Sequence, residues 1–267
     1  MEFRTIVDIA KPDFQIEPRE EMLFVGSCFA DSIGQRFVDE QFRATVNPFG
    51  VMYNPASVLH AIERYEGCPR VVFLTLGTNH VYRLKETGEI VDNCQKRPAS
   101  LFQEKQLSVD QCADYLQRAI DLLRSRRPDV HVVLTVSPIR YRKYGYHGSQ
   151  LSKATLLLAV DKVCCSLSEP GSSVTYFPAY EILMDELRDY RFYADDMLHP
   201  SRQAVEYIWE RLTEHYFSDA ARRFLTEWAP LKAALAHRPF DADSPAYKQF
   251  IADTRVKVEA LLHRYGE

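Results

Sequence analysis

A carboxylate three residues ahead of an imidazole, as in Asp196-Met197-Leu198-His199, can hold that imidazole in one tautomer when the four residues close a turn. The imidazole is then ready to take a proton from a hydroxyl. A suitable hydroxyl lies near the other end of the chain: Ser27 follows the apolar run 22–25 and precedes a segment of helical period, 28–40, with Phe29, Ile33 and Phe37 on its inner face. At such a strand-to-helix junction it would sit beside free helix N–H groups that can receive a developing oxyanion. The same position suits a serine that merely caps the helix, and the local residues leave both readings open.

Other side chains fall at the ends of further apolar runs. Gly77-Thr78-Asn79 closes the run 71–76, where the Asn79 carboxamide could share an oxyanion with backbone amides, or simply make a turn. Asn47-Pro48-Phe49-Gly50 offers, at Gly50, a backbone that can approach a substrate closely. Cys28 is the stronger intrinsic nucleophile, but neighbours at such a turn point in different directions, and packing is the expected role of Cys28. His80 could line a cleft or begin a hairpin. Arg140, and Lys153 at the expected opening of a helix, could bind an anionic or hydroxyl-rich substrate or be engaged in ion pairs. Tyr190, Phe192 and Tyr193 could stack on a sugar or pack inward.

The elements that must position these groups follow from hydrophobic periodicity. Near-continuous apolar runs at 22–25, 71–76, 130–136 and 174–177, with a weaker one at 44–46, read as strands covered on both faces. They alternate with helical segments, which predicts an α/β fold on a mainly parallel sheet. Ser108 and Gln111 form a capping box that opens a helix ending before Pro128. Asn54-Pro55 starts a second helix, residues 152–167 form a third stopped by Pro170-Gly171, and Pro200-Ser201 opens a fourth. Residues 80–84 and 89–91 flank Gly88 as a hairpin inserted after a core strand. From Ser218 onward two amphipathic helices, the second starting at Ser244-Pro245, should pack back on the body. A main domain over 1–217 and a helical extension over 218–267 are expected, and the extension is also a surface on which a homodimer could form.

The 267 residues, 46% hydrophobic and 26% charged, are ample for a buried core. A formal net charge of −4 gives no chain-wide attraction to phosphate backbones or anionic lipid, so neither nucleic acid nor membrane is an expected partner. The six cysteines show no zinc or disulfide spacing, and together with an N-terminus that lacks signal-peptide features they point to a reducing, cytoplasmic setting. No metal or organic cofactor is called for.

The pentapeptide Gly26-Ser27-Cys28-Phe29-Ala30 resembles the signature of the GSCFA family. The likeness extends through Asn47-Pro48-Phe49-Gly50, Tyr53-Asn54-Pro55, Asn93-Cys94, Thr135-Val136-Ser137-Pro138, Leu151-Ser152-Lys153-Ala154 and residues 185–201. That family is grouped with the SGNH, or GDSL-like, hydrolases. The resemblance implies a flavodoxin-like, three-layer α/β/α fold and esterase chemistry, with Ser27 as nucleophile, Asp196 and His199 completing the triad, and Gly50 and Asn79 as oxyanion donors. A small-molecule or carbohydrate ester, such as an O-acetyl sugar, would be the substrate; an O-acyltransferase and a non-catalytic carbohydrate-binding module are the alternatives. One departure stands out: the Gly-Asp-Ser of such hydrolases is here Val25-Gly26-Ser27, without the acid before the serine.

Overall fold

Alternating side chains of the central strands feed two separate cores. On β1 (Glu21–Gly26), Leu23 and Val25 pack to one side and Met22 and Phe24 to the other; on β3 (Val71–Leu76), Val72, Leu74 and Leu76 oppose Val71 and Phe73. This two-residue period places helices on both faces of the sheet. With β2 (Arg43–Val46), β7 (His131–Val136) and β8 (Val174–Tyr176), these strands form a five-stranded sheet of order β2-β1-β3-β7-β8, parallel throughout. The architecture is that of a computed structural model, which describes residues 4–92, 94, 97–167 and 173–266. Asn93 of one motif and the expected helix stop at Pro170-Gly171 lie outside the described residues.

Helices α2 (Pro55–Arg64), α3 (Val109–Arg126) and α4 (Gly145–Ser166) cover one face through Leu59, Leu116 and Leu156. On the other face lie α1 (Cys28–Asp39), α6 (Arg202–Tyr216) and α7 (Asp219–Leu235), where Phe37 sits among the rings of Phe24, Phe42, Trp209 and Phe217. The expected capping box forms between Ser108 and Gln111 on α3, and α2, which starts at Asn54-Pro55 as expected, carries a second one between Asn54 and Ser57. In α8 (Pro245–Arg264), Leu261 joins the second core, and α7 is tied to α1 by Trp228 Nε1 donating to Asp39 O at 3.2 Å. No helix among the described residues is long and apolar enough to cross a membrane.

Two elements differ from expectation. The third helix begins at Gly145 rather than Ser152, because the Ser152 hydroxyl does not cap a helix; it accepts the Asn79 N–H at 2.9 Å from within α4. The inserted hairpin, β4 (His80–Leu84) and β5 (Ile90–Val91), gains a third antiparallel strand, β6 (Phe102–Gln106), whose only buried residue is Phe102. A run with one buried residue in five has no alternation to betray it.

Between β8 and α6, the short α5 (Ala179–Glu181) runs into a π-helical turn over Ile182–Leu187. That region forms one wall of the cavity described below.

Candidate active site

The strand order reverses direction between β1 and β3, and open α/β sheets bind ligands in the crevice beyond the carboxyl ends of such strands. Gly26 ends β1 there with φ +151°, and a Cβ at that position would lie 2.1 Å from the carbonyl oxygen of Thr75 on β3. Only glycine lets the two strand ends approach so closely. The loop after β2 is laid over the same edge: Asn47 Oδ1 accepts the Gly26 N–H at 2.9 Å, Met52 N–H donates to Gly26 O at 2.8 Å, and the N–H groups of Gly77 and Thr78 both donate to Tyr53 O.

Ser27 caps α1. Its side chain is fully buried, its Oγ accepts the Phe29 N–H at 3.3 Å, and its own N–H donates to Thr75 O at 3.0 Å. Cys28, the first helical residue, is only partly buried, and its Sγ lies 3.7 Å from the Tyr53 hydroxyl. The packing role expected for Cys28 therefore describes Ser27 better than Cys28. Tyr53 meets Tyr141 edge to face at 6.0 Å, and burial together with the nearby Cys28 thiol pushes the Tyr53 phenol up to about 12. The Tyr141 hydroxyl is buried with no hydrogen-bond partner, and a Cβ on Gly77 would come within 2.3 Å of it. No feature of the sequence singles out Tyr141; it is one tyrosine among several after β7.

The D-x-x-H segment closes as its spacing predicts. Ala194 N–H donates to His199 O, Ser201 N–H to Phe192 O, and Met197 takes a left-handed φ of 59° between them. Asp196 accepts the N–H groups of Leu198 and His199 on Oδ1 and lies 2.5 Å from His199 Nδ1 on Oδ2. These bonds, led by the His199 backbone N–H, hold the Asp196 carboxyl down at about 2. The carboxylate thus fixes Nδ1 as the donor and leaves Nε2, on a ring 46% exposed, without a protein partner among the described residues. The loop is fastened to the sheet edge by Arg140, whose N–H donates to Leu198 O and whose Nη1 donates to Met197 O. Arg140 immediately precedes Tyr141, so the chain links the histidine loop to the tyrosines beside Cys28. Ser27 and His199 are not hydrogen-bonded to each other.

The expected oxyanion donors are engaged elsewhere. Gly50 N–H closes the turn onto Asn47 O at 2.8 Å, and the buried Asn79 donates through Nδ2 to Leu107 O at 2.8 Å. The Asn79 carboxamide anchors the start of α3 to the edge of β3 instead of lining the crevice. In the first turn of α1 it is the Cys28 N–H that remains without an intrahelical acceptor.

His80 does not line a cleft either. It is buried, stacked on Tyr144 at 3.6 Å, with Nδ1 3.3 Å from Glu104 and Nε2 3.2 Å from Gln106; burial lowers its pKa. The insertion packs around it. Lys153 lies inside α4, not at its start, and is 2% exposed; its Nζ donates to Gly77 O at 2.7 Å and Ser137 O at 2.6 Å, bridging the ends of β3 and β7.

Burial without a carboxylate partner brings the Lys153 amine down to about 7. A lysine that protonates less readily folded than unfolded costs stability fully below the folded value, and this cost fades as pH rises toward the free-lysine value. Wild type should therefore gain about 2 kcal/mol over Lys153→Met between pH 7 and pH 9, read from urea unfolding. Parallel pH profiles for the two proteins would show instead that the folded protein keeps the amine charged throughout this range.

Lys153 and Arg140 both line a cavity of about 500 Å³ beside the histidine loop, together with Tyr146, Tyr180, Tyr190 and Tyr193. The Arg140 guanidinium lies over the rings of Tyr146 at 4.2 Å and Tyr193 at 5.1 Å, and Tyr193 pairs with Pro200 across the loop. The cavity wall is therefore continuous with the segment that carries His199. Among the described residues no group of three or more His, Cys, Asp or Glu side chains is placed to hold a metal ion.

Comparison with solved structures finds the same α/β architecture elsewhere. A candidate GDSL-like lipase from Parabacteroides merdae superposes with a TM-score of 0.51 at 10% identity, covering 77% of this chain and 99% of that one. A candidate platelet activating factor from Streptococcus pneumonia gives 0.50 at 17% identity, covering 76% and 85%. At such identities the likeness is one of fold. No curated protein matches the chain. The model of the GSCFA family matches residues 21–69 and 68–212, and that of the GSCFA domain protein, C-terminal domain, matches 228–267. The matches take in β1, the crevice loops, the histidine loop and α8, and the chain belongs to the GSCFA family.

Proposed function

We propose that the chain is an SGNH-type hydrolase of ester bonds, acting through an acyl-enzyme formed at the junction of β1 and α1. The observation that carries this reading is the Asp196–His199 pair: an imidazole held at Nδ1 by an ionised carboxylate, its Nε2 free, on a loop fastened beside the sheet edge. His199 would take the proton of the attacking group and return it to the departing alcohol. Asp196 would hold the tautomer and stabilise the imidazolium. Water would then release the acid, with His199 as base again.

The adjoining cavity supports an O-acyl carbohydrate as substrate. Its tyrosine rings offer flat apolar faces with polar rims, and Arg140, Asp185 and Asp189 supply hydrogen-bonding groups for hydroxyls. Transfer of the acyl group to a second alcohol would use the same intermediate. Full burial of Ser27 is the observation that favours the other reading, a binding module without turnover. The two part in a simple assay: many molecules of 4-nitrophenol released from 4-nitrophenyl acetate per folded chain support the hydrolase, and none at all, alongside measurable oligosaccharide binding, supports the module.

A further inference from the structure

We propose that Cys28, not Ser27, is the nucleophile, so that the acyl-enzyme is a thioester. This rests on the hydrolase reading above and names the attacking atom within it. Ser27 is 0% exposed; its oxygen caps α1 through the Phe29 N–H, and its amide is bound to Thr75 O, so an ester carbonyl could reach it only if the start of α1 came apart. Cys28 occupies the next position, partly exposed, at the N-terminal end of a 12-residue helix, which favours a developing negative charge.

The thiol is not isolated. Its Sγ contacts the Tyr53 hydroxyl, Tyr53 packs on Tyr141, and the residue before Tyr141 holds the loop that carries His199. The buried Tyr141 hydroxyl has no protein partner, and such a group next to a nucleophile is suited to a hydrogen bond with an incoming acyl group. With Cys28 as nucleophile, Gly26-Ser27-Cys28 also falls into register with Gly-Asp-Ser. Ser27 then stands where those hydrolases have the acid, so the glycine comes into register while the acid itself is replaced by a serine.

The step balances without a further reactant. The Sγ–H proton passes to His199 Nε2 as the C–S bond forms, and the tetrahedral oxyanion faces the Cys28 N–H. Collapse breaks the C–O bond, and the alcohol leaves with the proton from His199. Water, deprotonated by His199, then adds to the thioester carbonyl. The C–S bond breaks, the acid departs, and the thiolate recovers its proton.

The test is acid-quenched peptide mapping of full-length protein after reaction with 4-nitrophenyl acetate, with turnover measured alongside. The expected result is an acetyl group on Cys28 that neutral hydroxylamine removes. It should be absent in His199→Ala and still present in Ser27→Ala, which removes only the cap. Turnover in folded Cys28→Ala should fall by about 10³-fold. Acetyl on Ser27, or turnover in Cys28→Ala within a few-fold of wild type, overturns the thioester and leaves the hydrolase standing. Folded wild type with neither adduct nor turnover overturns both.

Discussion

His199→Ala is expected to lower kcat/KM for acyl esters by about 10³- to 10⁴-fold while leaving the protein folded. The ring is nearly half exposed, and its side-chain hydrogen bond runs to Asp196, so its removal opens no cavity in the core. What would be lost is the base that the proposed mechanism assigns to His199 Nε2, for acylation and for deacylation alike. Asp196→Asn should follow with a smaller loss, because an amide can still accept the Leu198 and His199 N–H groups but cannot stabilise the imidazolium. Circular dichroism should superpose for all three proteins. Equal rates for wild type and His199→Ala would remove the loop from the chemistry.

Gly26→Ala is expected to be the most damaging single methyl in the chain, costing about 4 kcal/mol or more and abolishing turnover. The added Cβ would meet the Thr75 carbonyl oxygen at 2.1 Å and its carbon at 2.8 Å, both backbone atoms with nowhere to retreat. The φ of +151° adds strain for any residue bearing a side chain. Forcing β1 from β3 would also break the Ser27 N–H bond to Thr75 O and disturb the Met52 N–H bond to Gly26 O, the contacts that place Cys28 at the crevice. Urea unfolding measures the first effect and ester turnover of the remaining folded protein the second. A stable, active Gly26→Ala would mean that the strand ends can part freely.

Much of this framework can be read in the chain itself. Strands such as Val71–Leu76 announce themselves because a strand buried on both faces is apolar at every position. The Asp196–His199 pairing is equally local: three residues separate the partners, and the loop closes on its own backbone. The parts that were not legible depend on contacts remote in sequence. Ser152 looks like a cap until Asn79, 73 residues away, is seen to donate to it. Lys153 looks like a surface cation, yet Gly77 and Ser137 draw it inside. Asn79 has the type and position of an oxyanion donor, but Leu107 takes its amide. The exposure of Ser27 and Cys28 is the subtlest case, because one residue along a strand-to-helix turn exchanges a capped, buried side chain for an edge one, and both residue types suit either place.

The central claim is that this site turns over esters, and acetate released from an O-acetylated xylo-oligosaccharide by the purified chain tests it most directly. Many acetates per chain, reduced at least about 100-fold in His199→Ala, is the result predicted here. Oligosaccharide bound by folded wild type with no acetate released would contradict it and make the chain a binding protein.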